Sequence, residues 1–126
     1  MTQVGQWPII IHMNIYIKTT PAFDRKAEKL ISEDALEEFY DHISQNPELG
    51  KIISGTSGVR KIRWKTGFND KGKSGGVRIL YHYSDDLLVL LITAYGKSDK
   101  ENISDSERNE LKKTVPLLVA KYRGEL

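Results

Sequence analysis

The residues best suited to chemistry in this sequence are cationic, and they lie on two segments with a period of two. On a strand over residues 59–65, Lys61 and Arg63 point to the same side. A second strand over residues 77–83 carries Arg78. If the two strands pair as a hairpin with their basic sides aligned, these three cations converge on one water-facing surface.

Such a cluster suits phosphodiester chemistry. Neighbouring positive charges repel one another, which lowers the pKa of a lysine among them and makes it usable as a general base near neutral pH. No carboxylate pair stands among the central strands, and the chain has no cysteine. The histidines His12, His42 and His82 lack metal-ligand spacing. His82 is either a proton shuttle or a hydrogen-bonded residue of the sheet. We therefore expect a site that needs neither a metal nor a cofactor.

The loop between the two strands matches a nucleotide-binding signature. Gly67, four residues and then Gly72-Lys73-Ser74 fit the P-loop pattern. A P-loop leads into a helix whose amino-terminal amides hold the phosphates, whereas this run leads through Gly75-Gly76 into a strand. We interpret the loop as a cationic hairpin tip, in which Lys71 and Lys73 would reach along a phosphate backbone.

Composition and charge narrow the class of protein. The 126 residues are enough for one domain over 1–126, and 39% hydrophobic with 29% charged residues is typical of a soluble globular chain. The absence of cysteine fits the cytoplasm. The apolar run 7–17 is too short to span a bilayer and lacks the flanks of a secretory signal. Residues 1–12 are a tail or an extension of the first strand, and Met13 is an alternative start.

Charge is segregated along the chain. Residues 24–48 contain eight acids and three basic residues, whereas residues 58–83 contain seven basic residues and one acid. A separate basic block indicates an anionic partner, most often nucleic acid. The alternative is a lysine-rich surface that is merely solvated.

Periodicity predicts an α+β fold. A strand over 14–18 precedes a helix with Thr20 as N-cap and Pro21 at its first position. A second helix starts near Ser32 and ends by about Asn46, before Pro47.

Three strands and a helix follow in the second half. The strands cover residues 59–65, 77–83 and 87–95, and the last is apolar enough to be a central strand covered on both faces. Asp85-Asp86 forms the turn before it. The final helix begins near Ser104, which forms a capping box with Glu107, and Pro116 should kink it or end its first half.

Several of these motifs together resemble one family. Gly58-Val-Arg-Lys-Ile-Arg63, Gly72-Lys-Ser-Gly-Gly-Val-Arg-Ile-Leu-Tyr81, Tyr95-Gly-Lys97 and the capped last helix resemble the RelE superfamily of bacterial toxins. The similarity spans residues 14–122 and is closest to the HigB-like branch of type II toxin–antitoxin systems. It implies a RelE-like fold with two N-terminal helices, a twisted, mainly antiparallel sheet of about four strands, and a C-terminal helix.

The resemblance also implies a function. Such a toxin enters the ribosomal A site and cuts messenger RNA there, inhibiting translation. By family analogy Lys61 abstracts the proton and Arg78 stabilises the phosphate charge, while Arg63 and Lys97 orient the phosphate or donate a proton. The expected RNA contacts are Arg60, Lys65, Lys71, Lys73, Tyr95 and His82.

The implied partners are the ribosome, messenger RNA and a cognate antitoxin. In the HigB-like branch the antitoxin is often a helix-turn-helix protein, through which the complex recognises operator DNA. The resemblance implies no membrane partner.

The sequence departs from the family where the general acid is expected. Some relatives carry an arginine after the glycine-lysine pair and a tyrosine near the last helix, where this chain has Ser98 and about Ser104. Tyr95 is a substitute, or else a buried aromatic at the strand end. The competing class is a non-catalytic RNA- or protein-binding module on the same fold, including a toxin that has lost its activity.

Overall fold

The computed structural model describes residues 15–68, 76–84, 87–97, 100 and 102–126. In chain order the elements are β1 (Tyr16–Thr19), α1 (Pro21–Leu30), α2 (Glu33–Gln45), β2 (Lys51–Ile52), β3 (Val59–Trp64), β4 (Val77–Ser84), β5 (Leu88–Gly96) and α3 (Asp105–Arg123). The predictions for residues 1–12, Met13, Lys71, Lys73, Asp85-Asp86 and Ser98 concern positions outside the described residues.

The predicted helix starts are confirmed by their caps. The Thr20 hydroxyl accepts from Phe23 N, with Pro21 at the first helical position. The Ser32 side chain accepts from Ala35 N, and α2 ends at Gln45. Each cap satisfies an amide that has no partner inside its own helix.

The described strands form one five-stranded sheet in the order β1-β5-β4-β3-β2. β1 runs parallel to β5, and the other three pairings are antiparallel. The prediction of a mainly antiparallel sheet is therefore confirmed, with one strand more than expected. The additional strand, β2, has two residues, which is too short to show a period of two.

Helices cover the sheet on both faces. Phe23 of α1 and Phe39 of α2 are fully buried against residues such as Ile79 and Leu91. On the opposite face, which we call the α3 face, Val115 and Val119 of α3 pack in a cluster with Val59, Leu80 and Leu90. β5 contributes to both clusters, which confirms it as a central strand.

A bulge on β5 sets the register at its end. Tyr81 pairs with Leu91, but the preceding residue, Leu80, pairs with Thr93, so Ile92 is an extra residue on β5. From there on each β5 residue is shifted by one place. Tyr95, rather than Ala94, consequently lies opposite Arg78.

Helix α3 continues through Pro116 from Asp105 to Arg123, so of the two expected effects of the proline, a kink or an end of the first half, the second is wrong. Proline has no N–H to donate to the carbonyl four residues earlier. That carbonyl, Lys112 O, accepts instead from the Ser57 hydroxyl at 2.9 Å. The loop before β3 is thereby fastened to the helix at the position that the proline leaves open.

Candidate active site

The pairing of β3 with β4 brings the three predicted cations together. Arg63 lies directly opposite Arg78, and Lys61 lies opposite Leu80. Residues directly opposite one another on antiparallel strands point to the same side, with their Cβ atoms about 4.5–5.5 Å apart. Lys61, Arg63 and Arg78 therefore share the α3 face, as the alternation predicts.

A fourth cation joins them that the sequence did not reveal. Lys51 on β2 pairs directly with Lys61 on β3. A pocket of about 390 Å³ is lined by these residues and two apolar neighbours; its full lining is Leu49, Lys51, Lys61, Ile62, Arg63 and Arg78. We call it the cation pocket. Lys51 was missed because β2 is recognisable only once β3 is placed beside it.

The cations of the pocket differ in exposure. Arg63 is exposed and Lys61 is half-buried, whereas Arg78 is only 1% exposed. The expectation of a water-facing patch is thus wrong for Arg78, because β4 is an interior strand with neighbours on both sides. A guanidinium is weakly hydrated and stays charged when buried, so arginine tolerates this place better than lysine would. Its charge acts through surroundings less polarisable than water, which strengthens its field.

The ammonium of Lys61 is held from outside the sheet. Its Nζ donates to Asn102 Oδ1 at 2.9 Å, across 41 positions of sequence. Asn102 lies in the segment between β5 and α3 and is exposed. No local pattern marks an asparagine in such a segment as a partner of the site, so sequence reasoning could not find it.

Lys97 and Tyr95 lie at the same end of the sheet as Arg78. Lys97 is exposed and is the first residue after β5, whose last residue Gly96 pairs with Val77. Tyr95 lies opposite Arg78 but is 4% exposed, and it packs in the cluster beneath α3. The ammonium of Lys100 lies 4.9 Å from the centroid of the Tyr95 ring.

Arg60 and Lys65 reach away from the cation pocket. The Arg60 guanidinium donates to Glu48 O at 3.0 Å and to Gly50 O at 2.7 Å. In a strand over residues 59–65, alternation would put Lys65 on the same face as Lys61. β3 instead ends at Trp64, and Lys65 Nζ pairs with Glu38 of α2 at 2.6 Å.

His82 shares the α3 face with Arg78 but lies four residues along β4, about 13 Å away at the rise of a strand. Its Nδ1 is 3.4 Å from the Ser84 hydroxyl. This spacing along β4 separates His82 from the end of the strand that carries Arg78.

The P-loop match fails on structure as well as on sequence. β4, a strand, begins at Val77, directly after Gly76. Gly67 has a φ of +82°, and a Cβ placed there would lie 2.0 Å from Ser32 Oγ. Ser32 N also donates to Thr66 O at 2.7 Å. The beginning of the signature is therefore fastened to the start of α2, and its glycine is required by packing.

The pKa of one carboxyl, that of Glu107, is shifted near the start of α3. The Lys100 ammonium, together with the amide of Ser104, holds the pKa of the Glu107 carboxyl below its usual value. The same two groups are the hydrogen-bond partners of Glu107, which completes the predicted capping box. Through Glu107, Lys100, whose ammonium lies over the Tyr95 ring, is attached to helix α3.

Two searches of the described residues bear on the class of site. They contain no group of three or more histidine, cysteine, aspartate or glutamate side chains arranged to hold a metal ion. None of the helices in the described part of the chain is long and apolar enough to cross a membrane.

Comparison with protein families gives a match over almost the whole chain. The model of the RelE toxin of the RelE/RelB toxin–antitoxin system matches residues 13–126. The match includes every described element, from β1 to α3, and all the residues of the cation pocket. The chain therefore belongs to the RelE toxin family.

Proposed function

We propose that this protein is a ribosome-dependent messenger RNA endoribonuclease of the HigB-like branch, the toxin of a type II toxin–antitoxin system that acts in the cytoplasm. The observation that carries the proposal is the direct pairing of Arg63 with Arg78 beside Lys61, in an open pocket that is large enough for a phosphate group. Membership of a toxin family supports it. The reaction uses the ribose 2′-hydroxyl of the message as its nucleophile and needs no metal.

Lys61, in its deprotonated amine form, takes the proton from the 2′-hydroxyl and becomes an ammonium group, while the ribose oxygen attacks the adjacent phosphorus. The hydrogen bond from Lys61 Nζ to Asn102 Oδ1 holds that nitrogen at one position on the pocket wall. Asn102 is thus a positioning residue, since it reaches the reaction through Lys61.

Arg78 and Arg63 stabilise the phosphorane that forms. The buried Arg78 guanidinium needs little reorganisation when negative charge develops on the phosphoryl oxygens. The exposed Arg63 can follow the phosphate as it enters and orient it. A guanidinium can hold two phosphoryl oxygens at once, which an ammonium cannot do with the same geometry.

The bond from phosphorus to the 5′-oxygen then breaks. The products are a 2′,3′-cyclic phosphate on one fragment and a 5′-hydroxyl on the other, and the departing 5′-oxygen takes up one proton. We assign this donation to Lys97, which is exposed at the end of β5 near Arg78. An ammonium group gives up a proton more readily than the guanidinium of Arg63 does.

The proposal extends to RNA contacts outside the pocket and to a protein partner. Lys65, Lys71 and Lys73 bind ribosomal or messenger RNA through its phosphates. The hydrogen bonds of Arg60 and the distance of His82 from Arg78 favour structural tasks for those two residues. The antitoxin is a helix-turn-helix protein, and operator DNA is bound only through the toxin–antitoxin complex.

The test is messenger cleavage on translating ribosomes, mapped by primer extension. We expect Lys61→Ala to lower the cleavage rate by about 10²–10⁴-fold. Arg78→Lys keeps the charge and much of the volume, and we expect it to lower the rate by about 10²–10³-fold. Lys29→Ala is the matched control, since Lys29 is an exposed lysine in the last turn of α1.

Thermal melting of each variant separates lost chemistry from lost folding. Wild-type protein that binds ribosomes but yields no cut message would contradict the proposal in favour of a binding module. Unimpaired growth of bacteria in which the wild-type protein is induced would indicate a toxin that has lost its activity.

A further inference from the structure

We infer that the β2 edge of the cation pocket is a second nucleotide-binding subsite, in which Lys51 binds the phosphodiester next to the scissile one and Leu49 packs against the base of that nucleotide. The inference rests on the proposed function, since it assumes an RNA substrate held by Arg78. It adds two residues that neither the family resemblance nor the sequence pattern assigns to the site.

The strand register places Lys51 within the pocket. Lys51 pairs directly with Lys61, so both side chains leave the sheet on the α3 face. β2 lies two strands from β4. Two strand spacings are about 10 Å, so Lys51 and Arg78 are suited to two successive phosphate groups rather than to one.

The backbone before Lys51 is fixed on both of its sides. Gly50 N donates to the Tyr81 hydroxyl at 2.8 Å, and Gly50 O accepts from the Arg60 guanidinium at 2.7 Å. Gly50 is buried, and a Cβ there would lie 2.9 Å from the Tyr81 ring. The Tyr81 hydroxyl in turn donates to Pro47 O at 2.8 Å. These hydrogen bonds hold the two-residue edge strand β2 in one place. A lysine that was merely solvated would not need its backbone fixed in this way.

The charges around Lys51 point to an anion. Two like charges directly opposite one another destabilise a sheet. Neither Lys51 nor Lys61 belongs to the ion pairs Lys65–Glu38, Lys100–Glu107 or Arg108–Asp105 of the described residues. A phosphate that binds between Lys51 and Lys61 relieves their repulsion, so this pair of lysines favours binding of an anion.

Leu49 gives the pocket an apolar wall beside its cations. Its side chain is 49% exposed although it lines the cation pocket. A nucleobase presents an apolar face next to its phosphate, and covering Leu49 with such a face removes apolar surface from water. A free inorganic anion would gain nothing from this wall, so the pairing of Leu49 with Lys51 favours a nucleotide.

The first experiment measures binding of a fluorescent single-stranded RNA by anisotropy at several salt concentrations. We expect Lys51→Gln to weaken binding about tenfold, as for loss of one charge-assisted hydrogen bond, and Lys29→Gln to leave binding unchanged. The slope of log affinity against log salt should fall in magnitude by about 0.7, the value for one phosphate contact on a single strand. Leu49→Ser should weaken binding with no change in that slope.

The second experiment follows cleavage on translating ribosomes as toxin concentration is varied. We expect Lys51→Gln to raise the half-saturating concentration while the maximal rate stays within about twofold, because the residue binds without touching the reacting atoms. An effect on the maximal rate alone, or variants that behave as Lys29→Gln does in both experiments, would overturn the subsite.

The two proposals can fail separately. If wild-type protein cuts no message, the proposed function fails, and the anisotropy measurements still decide the subsite. If wild-type protein binds no RNA in those measurements, the subsite is refuted.

Discussion

At the residue scale, the cationic side chains of the cation pocket differ in how far they are exposed to solvent. Arg78 is buried at its base, Lys61 is half-buried and hydrogen-bonded, and Arg63 is exposed. A buried guanidinium suits stabilisation of a transition state, because its surroundings need not rearrange when charge develops. A lysine with a fixed partner suits proton transfer, which depends on position. The exposed Arg63 suits capture of the phosphate.

The general acid can be decided at the same scale. Tyr95 is 4% exposed, whereas Lys97 is exposed. We expect Tyr95→Phe, which retains the ring beneath Lys100, to keep the cleavage rate within about threefold and to lose about 1 kcal/mol of folding free energy with its hydroxyl. Lys97→Ala should lower the maximal rate by about 10²-fold or more.

Single-turnover cleavage and urea denaturation provide the two measurements. A loss of 10²-fold or more in Tyr95→Phe, with Lys97→Ala near wild type, would transfer the role of acid to the tyrosine.

At the scale of elements, the loop before β3 and helix α3 are joined through a missing hydrogen bond. Lys112 O accepts from the Ser57 hydroxyl because Pro116 has no N–H to give it. Within the loop, the Thr56 hydroxyl donates to Ile53 O and accepts from Val59 N, the first residue of β3. The hydrogen bond from the Ser57 hydroxyl to Lys112 O therefore fixes the start of β3, the strand that carries Lys61 and Arg63.

A double-mutant cycle tests whether the hydrogen bond from Ser57 to Lys112 O depends on Pro116. We expect Ser57→Ala to cost about 0.5–1 kcal/mol of folding free energy, because a single neutral hydrogen bond is lost. In a Pro116→Ala background residue 116 supplies its own N–H to Lys112 O, so the cost of Ser57→Ala should fall towards zero. The measurement is the free energy of unfolding in urea for all four proteins. Equal costs in both backgrounds would show that the hydroxyl acts independently of the proline.

At the scale of the whole molecule, the sheet separates two kinds of surface. Helices α1 and α2, which together carry seven acidic residues and three basic ones, lie on one face, and the cation pocket opens on the other, beside the start of α3. The excess of acid on one layer keeps the net charge near +2 although the functional face is strongly basic. Such an asymmetry orients the protein as it approaches an anionic partner.

Acid should loosen the attachment of α3 to the rest of the molecule. The pKa of Glu107 is lowered by Lys100 and by the Ser104 amide, so its contribution to stability is present above its unfolded value of about 4.5 and is lost as pH falls through the lower folded value. We expect Glu107→Gln to lower the melting temperature at pH 7 and to have a smaller effect at pH 3. Glu110→Gln, at an exposed position of α3, is the control. A constant difference between wild type and Glu107→Gln across that range would contradict the assignment.

Sequence alone determined whatever depends on local pattern. Caps at Thr20, Ser32 and Ser104 mark the helix starts because each satisfies neighbouring amides. Alternation placed Lys61 and Arg63 on one side of β3, because side chains of a strand point in turn to opposite faces. Glycines before β4 excluded a P-loop, and the quoted motifs led to the family.

Only the tertiary structure decided the contacts between distant residues. The bulge at Ile92 placed Tyr95 opposite Arg78, and an interior position buried that arginine. Lys51 lines the pocket because the two-residue strand β2 pairs with β3, and Asn102 accepts a hydrogen bond from Lys61 across 41 positions of sequence. Such contacts depend on how strands align and where loops end, which a side-chain pattern with a period of two or 3.6 cannot encode.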